Sequence, residues 1–298
     1  MGQLCCKKKE ILSTEIDSIN EIEIKIPSYS STYDKELIKL EKNYNLLKNI
    51  NFMDFMYLIS IFSMDNVTIN DDFSKAPKHY SRNDAFFTQS ISIDYFQTFI
   101  ENKIFKHPGN YTIAGNNEIL SSISKEILIE IYKSLLQKLN QAYEKKEKQS
   151  ITELKKYHII CFGILFCSGL NIKKIKTIYD IFKDPNDNIL RKNFELEDFL
   201  MGLCLISSYC LIFARHTISK KHQEIETIDK NDLSKMINVA ELKDNINLVQ
   251  IIQVKLFGED FNKGLNDNEW NNLFKDENGI PFILSTKGIR KQLEINNV

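Results

Sequence analysis

The sequence predicts an all-α fold of tandem helix–loop–helix units in two lobes, and three observations carry that expectation. From Asp34 onward the apolar residues recur mainly at helical spacing. Gly (10) and Pro (5) are scarce, which disfavours turn-rich β sandwiches and Gly-rich phosphate loops. Short segments also recur in which an apolar residue and a small or acidic cap precede an acid and a second apolar residue. These are FELEDF (Phe194–Phe199), IDKNDL (Ile228–Leu233) and LNDNEW (Leu265–Trp270), whose acids Asp198, Asp232 and Glu269 stand 34 and then 37 residues apart. INFMDF (Ile50–Phe55) has the same form, and SISIDYF and SSISKEIL are looser versions.

Taken in order, residues 1–33 read as a lipid anchor and linking segment. Gly2 after the initiator Met is the acceptor that N-myristoylation requires, although Cys6 stands where Ser or Thr is usual. One myristoyl chain binds membranes only marginally, so a stable anchor takes a second signal. Cys5 and Cys6 offer S-palmitoylation, and Lys7, Lys8 and Lys9 form a basic patch worth about 1 kcal/mol per lysine near an anionic leaflet. MGQLCCKKK thus resembles the dual-acylation signals of peripheral membrane proteins and predicts the cytosolic face of a membrane. EIEIKIP alternates with period two up to Pro27 and fits an edge strand or an extended link.

Residues 34–148 form the expected N-terminal helical lobe, with KELIKLEKNYNLLKN, MDFMYLISIF and KEILIEIYKSLLQKLNQAYEKK as helices. AYEKKEKQS (142–150) reads as a hinge or as the exposed end of a long helix. Residues 149–298 form the C-terminal lobe, in which LVQIIQVKLF is a further helix. HIICFGILFCSGL and FLMGLCLISSYCLIFA are shorter than the ~20 residues of a membrane span and are hemmed by charge, so they read as core helices. Their cysteines have no metal-ligand spacing and read as buried thiols of a reducing compartment. No positively charged stretch followed by an apolar one opens the chain, so no secretory signal is expected.

The repeated segments resemble the EF-hand family, whose unit is a helix, a 12-residue loop and a second helix recurring every three to four dozen residues. The resemblance covers residues 150 to 275 and extends loosely over the N-terminal half. It implies that an apolar residue at loop position 8 pairs two loops and that an acid at position 12 closes a calcium site. With Glu269 at position 12, Gly258 falls at position 1 and Leu265 at position 8, and Trp270, Leu273 and Phe274 face the core. In the middle unit Ile228 and Asp232 take positions 8 and 12, followed by Leu233, Met236 and Ile237. The first unit has two registers. Phe194 at position 8 and Asp198 at 12 give a long loop; DPNDNILRKNFE gives Asp184, Asn186, Asn188 and Glu195 at positions 1, 3, 5 and 12.

Calcium is therefore the one cofactor the resemblance implies, with Asp184, Asn186, Asn188 and Glu195 as the first ligand set. Asp260, Asn262, Asn266 and Glu269 form the second. Ile189 replaces the turn glycine and Lys192 places a cation at position 9, while Gly258 supplies no side-chain ligand. Weak binding or none is the expectation.

A formal net charge of -1 gives no global field for nucleic acid. The five histidines are scattered, and no GxSxG, GxxxxGK[ST], GxGxxG or CxxC…CxxC occurs, so no enzyme is expected. The expected function is a membrane-anchored, calcium-responsive or calcium-independent adaptor. It would recruit a protein partner through a groove that receives an amphipathic helix. The alternative is a structural protein that lines a membrane with cytoskeletal partners.

Overall fold

The computed structural model describes residues 32–61, 89–107, 118–147, 151–223, 225–227, 230–239, 241–276 and 278–296. Gly2, Cys5, Cys6, Lys7, Lys8, Lys9 and the EIEIKIP segment lie outside them, as do Ile228 and the side chains of Asp232 and Met236. The chain is mostly helical, as the apolar spacing predicts.

Helix α1 (Thr32–Tyr44) stops where Asn45 turns extended and its side chain accepts from Leu47 N–H, starting a 3-10 turn over Leu46–Asn49. The predicted helix over this stretch is thus cut in two by a capping asparagine. Helix α2 (Phe52–Ile61) follows. Strand β1 (Ser90–Ile91) leads into α3 (Ile93–Phe99), which runs on through a π turn at Ile100–Ile104. Helix α4 (Glu118–Glu147) takes up most of AYEKKEKQS as its own end, and β2 (Leu154–Lys155) opens α5 (Lys156–Phe166).

After α6 (Asn171–Phe182) come α7 (Phe194–Leu205), a π turn (Ile206–Cys210) and α8 (Leu211–Lys221), continuous as one long helix. This helix is long and apolar enough to cross a membrane, but 83% of its apolar window is buried inside the protein. Both apolar cysteine-bearing runs are therefore core, and all four of their thiols are free and buried. Burial pushes each of those thiols up, Cys204 to about 12. Helices α9 (Lys230–Val239), α10 (Leu242–Phe257) and α11 (Asp267–Lys275), a 3-10 turn (Pro281–Leu284) and α12 (Thr286–Asn296) complete the chain.

The helices are organised by two antiparallel contacts between loops. In the first, Ser90 pairs with Lys155 and Ile91 with Leu154, joining the segment before α3 to the segment before α5. In the second, Leu190 and Leu265 exchange both backbone hydrogen bonds at 2.9 Å, joining the α6–α7 loop to the α10–α11 loop. Around each contact the helices pack crosswise. Helix α2 lies on α5 and α3 on α4; likewise α6 lies on α11 and α7 on α10. Each pair therefore has its first incoming helix against its second outgoing one. Strand β2 and helix α5, which follow residues 148–149, pair and pack with β1 and α2.

One contiguous apolar core runs through both pairs, with Phe52, Phe55, Phe162, Phe199, Phe257, Trp270 and Phe274 fully buried. The strongest contact between the halves is α4 against α8. Helix α12 closes the molecule: its Ile289 and Leu293 are buried, and it packs on α10, α7, the second π turn and α1.

Candidate functional site

The loops are where the sequence concentrates its candidate ligands, and the bridges fix their register. In three of four units the residue after the bridge caps the outgoing helix: Ser92, Lys155 and Asn266 follow Ile91, Leu154 and Leu265. Ser92 accepts from Tyr95 N–H at 3.2 Å, while Lys155 holds its cap position with no side-chain capping bond and donates instead to Ser90 Oγ at 3.1 Å. In the α6–α7 loop the cap is Asn193, three residues beyond Leu190, so Arg191 and Lys192 are additional.

The pairing residue in the first C-terminal segment differs from the expected Phe194. Phe194, proposed as the pairing residue, instead opens α7 and is 56% exposed, while Leu190 makes the bridge at 0%. The reason is steric: an extended bridge residue must precede the cap, and Asn193 caps after it. Counting from Leu190 at position 8, Asp184, Asn186 and Asn188 fall one residue out of step, at 2, 4 and 6, and Glu195 falls within the first turn of α7. Four residues beyond each bridge, where the closing carboxylate would stand, are Tyr95, His158, Phe194 and Glu269. Asp198, the other candidate, is turned into the core at 4% exposure.

The α6–α7 loop satisfies its own acids. Asp184 Oδ1 accepts from the backbone and side-chain N–H groups of Asn186 at 2.9 and 3.0 Å. Asp187 Oδ1 accepts from Ile189 N–H at 3.0 Å, and Asp187 Oδ2 accepts from Arg191. A second guanidinium nitrogen of Arg191 lies 3.9 Å from Asp184 Oδ2, so the cation beside both carboxylates belongs to the chain. The bond from Arg191 holds the Asp187 carboxyl below its ordinary range. Asn188 takes the left-handed turn (φ 56) that glycine serves more readily, and Tyr179 donates its hydroxyl to the Asn188 carbonyl.

In the α10–α11 loop, Gly258 turns with φ 79 and Asn262 donates to Asp260 Oδ2 at 3.3 Å. Asn266 and Glu269 form a reciprocal capping box, each accepting the other's backbone N–H at 3.0 Å. The Glu269 carboxylate is thus used on the helix start. Lys192 lies over the Phe261 ring at 3.8 Å and ties the two loops together. Among the described residues no three His, Cys, Asp or Glu side chains converge as a metal centre.

A second polar constellation was not anticipated from sequence. Asp198 on α7 accepts from Tyr143 of α4 and, at 2.5 Å, from Tyr157 of α5. His158 Nε2 lies 3.2 Å from Asp198 Oδ2, with both side chains buried. Burial alone would push the Asp198 carboxyl up. The pull of His158 and the two tyrosine hydroxyls outweighs it and leaves the group below its ordinary value. Gly202 leaves the space for this ring, since a Cβ there would meet His158 Cδ2 at 3.1 Å and Cys161 Sγ at 3.2 Å. The cluster joins the two helix pairs.

A third cluster gathers the ends of the described chain. Arg290 of α12 donates to Asp34 Oδ1 at 2.8 Å, to Glu41 Oε1 at 2.9 Å and to the Ser207 carbonyl at 3.1 Å. Thr286 donates to the other Glu41 oxygen at 3.0 Å. Comparison with family models, with curated proteins and with solved structures gives no match, so the loop geometry carries the functional reading.

Proposed function

We propose that this chain is a lipid-anchored, EF-hand-like adaptor that works without calcium at the cytosolic face of a membrane. The observation that carries the EF-hand reading is the pairing of helix–loop–helix units at an apolar bridge, made twice, with crossed helix packing each time. That is the arrangement the family's position-8 pairing requires. Calcium independence is favoured by Tyr95, His158 and Phe194 in the closing positions and by the Arg191 guanidinium beside Asp184 and Asp187. A calcium cage needs six to eight oxygens at 2.3–2.6 Å, and a capping box already employs Glu269. The address is read from Gly2, Cys5, Cys6 and the three following lysines. The client is a protein presenting an amphipathic helix to one of the pairs.

The competing reading, a rigid membrane-lining scaffold, is favoured by the Arg290 cluster, which locks α12 to α1 and closes the body. Two measurements test the adaptor reading. Calorimetric titration with calcium to about millimolar, the weak end of this loop type, should give no heat and leave helicity and thermal midpoint unchanged. A calcium-dependent rise in midpoint would return the calcium-responsive version. Gly2→Ala should move the protein from the membrane to the soluble fraction of cells, and retention at the membrane would falsify the anchor.

A further inference from the structure

Between the two helix pairs the chain makes a corner, Ser168–Lys173, whose sequence SGLNIK exposes Leu170 at 41% and Ile172 at 37%. The corner is built rather than loose. Ser168 N–H donates to the Ile50 carbonyl at 3.0 Å, and the Ser168 carbonyl accepts from Phe52 N–H at 2.8 Å. Asn45 donates to the Phe166 carbonyl at 3.0 Å. Gly169 then turns with φ +117, a conformation side-chain-bearing residues rarely adopt, and carries Leu170 outward. Lys174 folds back and donates to the Ile164 and Cys167 carbonyls, which anchors the start of α6. Two aliphatic side chains are thus presented on a fixed backbone.

The charge that the corner itself carries is positive. Of the lysines in residues 168–179, Lys174 is buried on the Ile164 and Cys167 carbonyls and Lys176 is paired with Asp180, which leaves Lys173 for the surface. Lys173 is exposed, and so is Lys48 in the adjoining 45–51 turn, whose ammonium donates to the Lys42 carbonyl at 2.7 Å. Asp54, partly exposed, lies 3.8 Å from His107, and Asp180 is paired with Lys176 and Lys183. An exposed aliphatic pair flanked by the exposed Lys48 and Lys173 fits a surface that offers both apolar acyl chains and negative headgroups.

We infer that the Ser168–Lys173 corner docks on an anionic lipid leaflet, with Leu170 and Ile172 entering the headgroup boundary and Lys48 and Lys173 facing the phosphates. The inference rests on the membrane reading above and adds to it the orientation of the body. The anchor is within reach: the 22 residues between Lys9 and Thr32 span at most about 80 Å, against about 20 Å for the length of α1.

The test uses the full-length chain without acylation, so that it is independent of the Gly2 experiment. Flotation is compared on phosphatidylserine–phosphatidylcholine vesicles and on phosphatidylcholine vesicles. The chain should bind the anionic vesicles and not the neutral ones. Leu170→Glu with Ile172→Glu should weaken that binding about tenfold, both in the native background and with Lys7, Lys8 and Lys9 changed to Gln. Leu170→Ser with Ile172→Ser, checked for an unchanged thermal midpoint, should weaken it in the same direction. Val254→Glu, at an exposed site on α10, should leave it unchanged. Equal binding by the double variants, equal loss with Val254→Glu, or equal binding to neutral vesicles overturns the inference. So does a corner variant that loses only a protein partner. Failure of Gly2→Ala to release the protein would instead count against the anchor alone.

Discussion

At the scale of single residues, Asp198 shows how a sequence motif and its role can part. FELEDF reads as a loop acid opening a helix, yet Asp198 points into the core, where Tyr143 and Tyr157 donate to its two oxygens. Removing a charged acceptor from a buried network strands its donors, at about 1–3 kcal/mol. Asp198→Asn is therefore expected to lower unfolding free energy at pH 7 by about that amount in denaturant titration. The sign of its pH dependence follows from the depressed carboxyl. A carboxyl lowered on folding stabilises above its unfolded value, ~3.9, and loses that contribution as pH falls through the folded value. The gap between native protein and Asp198→Asn should be full at pH 7 and shrink below about pH 4. A gap independent of pH would show that Asp198 is uncharged in the fold.

Helix crossings depend on small residues that the pattern of apolar spacing does not flag. Helix α5 meets α2 at Gly163, where an added Cβ would lie 2.5 Å from Phe55 Cδ1 and 2.7 Å from Cε1. Alanine in a helix interior is favoured over glycine by about 1 kcal/mol. Overpacking against a fully buried ring costs about 1–3 kcal/mol, so the clash should win. Gly163→Ala is expected to lower the thermal midpoint, and Phe55→Leu in that background should recover part of the loss. If Gly163→Ala is stabilising, the α2–α5 approach is looser than these distances indicate.

The elements also show which sequence signals were informative. SISIDYF, a loose match, places Ile91 in the first bridge, and LNDNEW places Leu265 in the second, at the position its spacing implies. Their partners, Leu154 and Leu190, stand in segments that carry no acid in the expected place. Bridge formation depends on an extended apolar residue beside a helix cap, and not on the acid that follows. The acids are the visible part of the motif, whereas the cap and the apolar residue are the part the fold uses.

Over the whole molecule, the closing contacts come from opposite ends of the described chain. Arg290 and Asp34 are both buried, and breaking such a pair by deleting one partner costs about 3–5 kcal/mol, because the other charge stays buried. Arg290→Ala should therefore cause a large loss of stability in denaturant unfolding. Arg290→Ala with Asp34→Ala should be less damaging than the sum of the single changes. Strict additivity would show that the two charges do not act as a pair.

The sequence by itself determined the helical class, the burial of the cysteine-bearing runs and the apolar residue, Leu265, that pairs before the last of the acid-bearing segments. These are local matters: periodicity, apolar content and adjacent residue types suffice to read them. Only the tertiary structure decided which segments pair and what becomes of the acids. Leu190 meets Leu265 across 75 residues, and Asp198 meets a tyrosine 55 positions earlier. A carboxylate reads alike in sequence whether it faces a metal, a helix start or two buried hydroxyls. The helices packed around it settle that choice, because a buried charge is retained only where partners already stand.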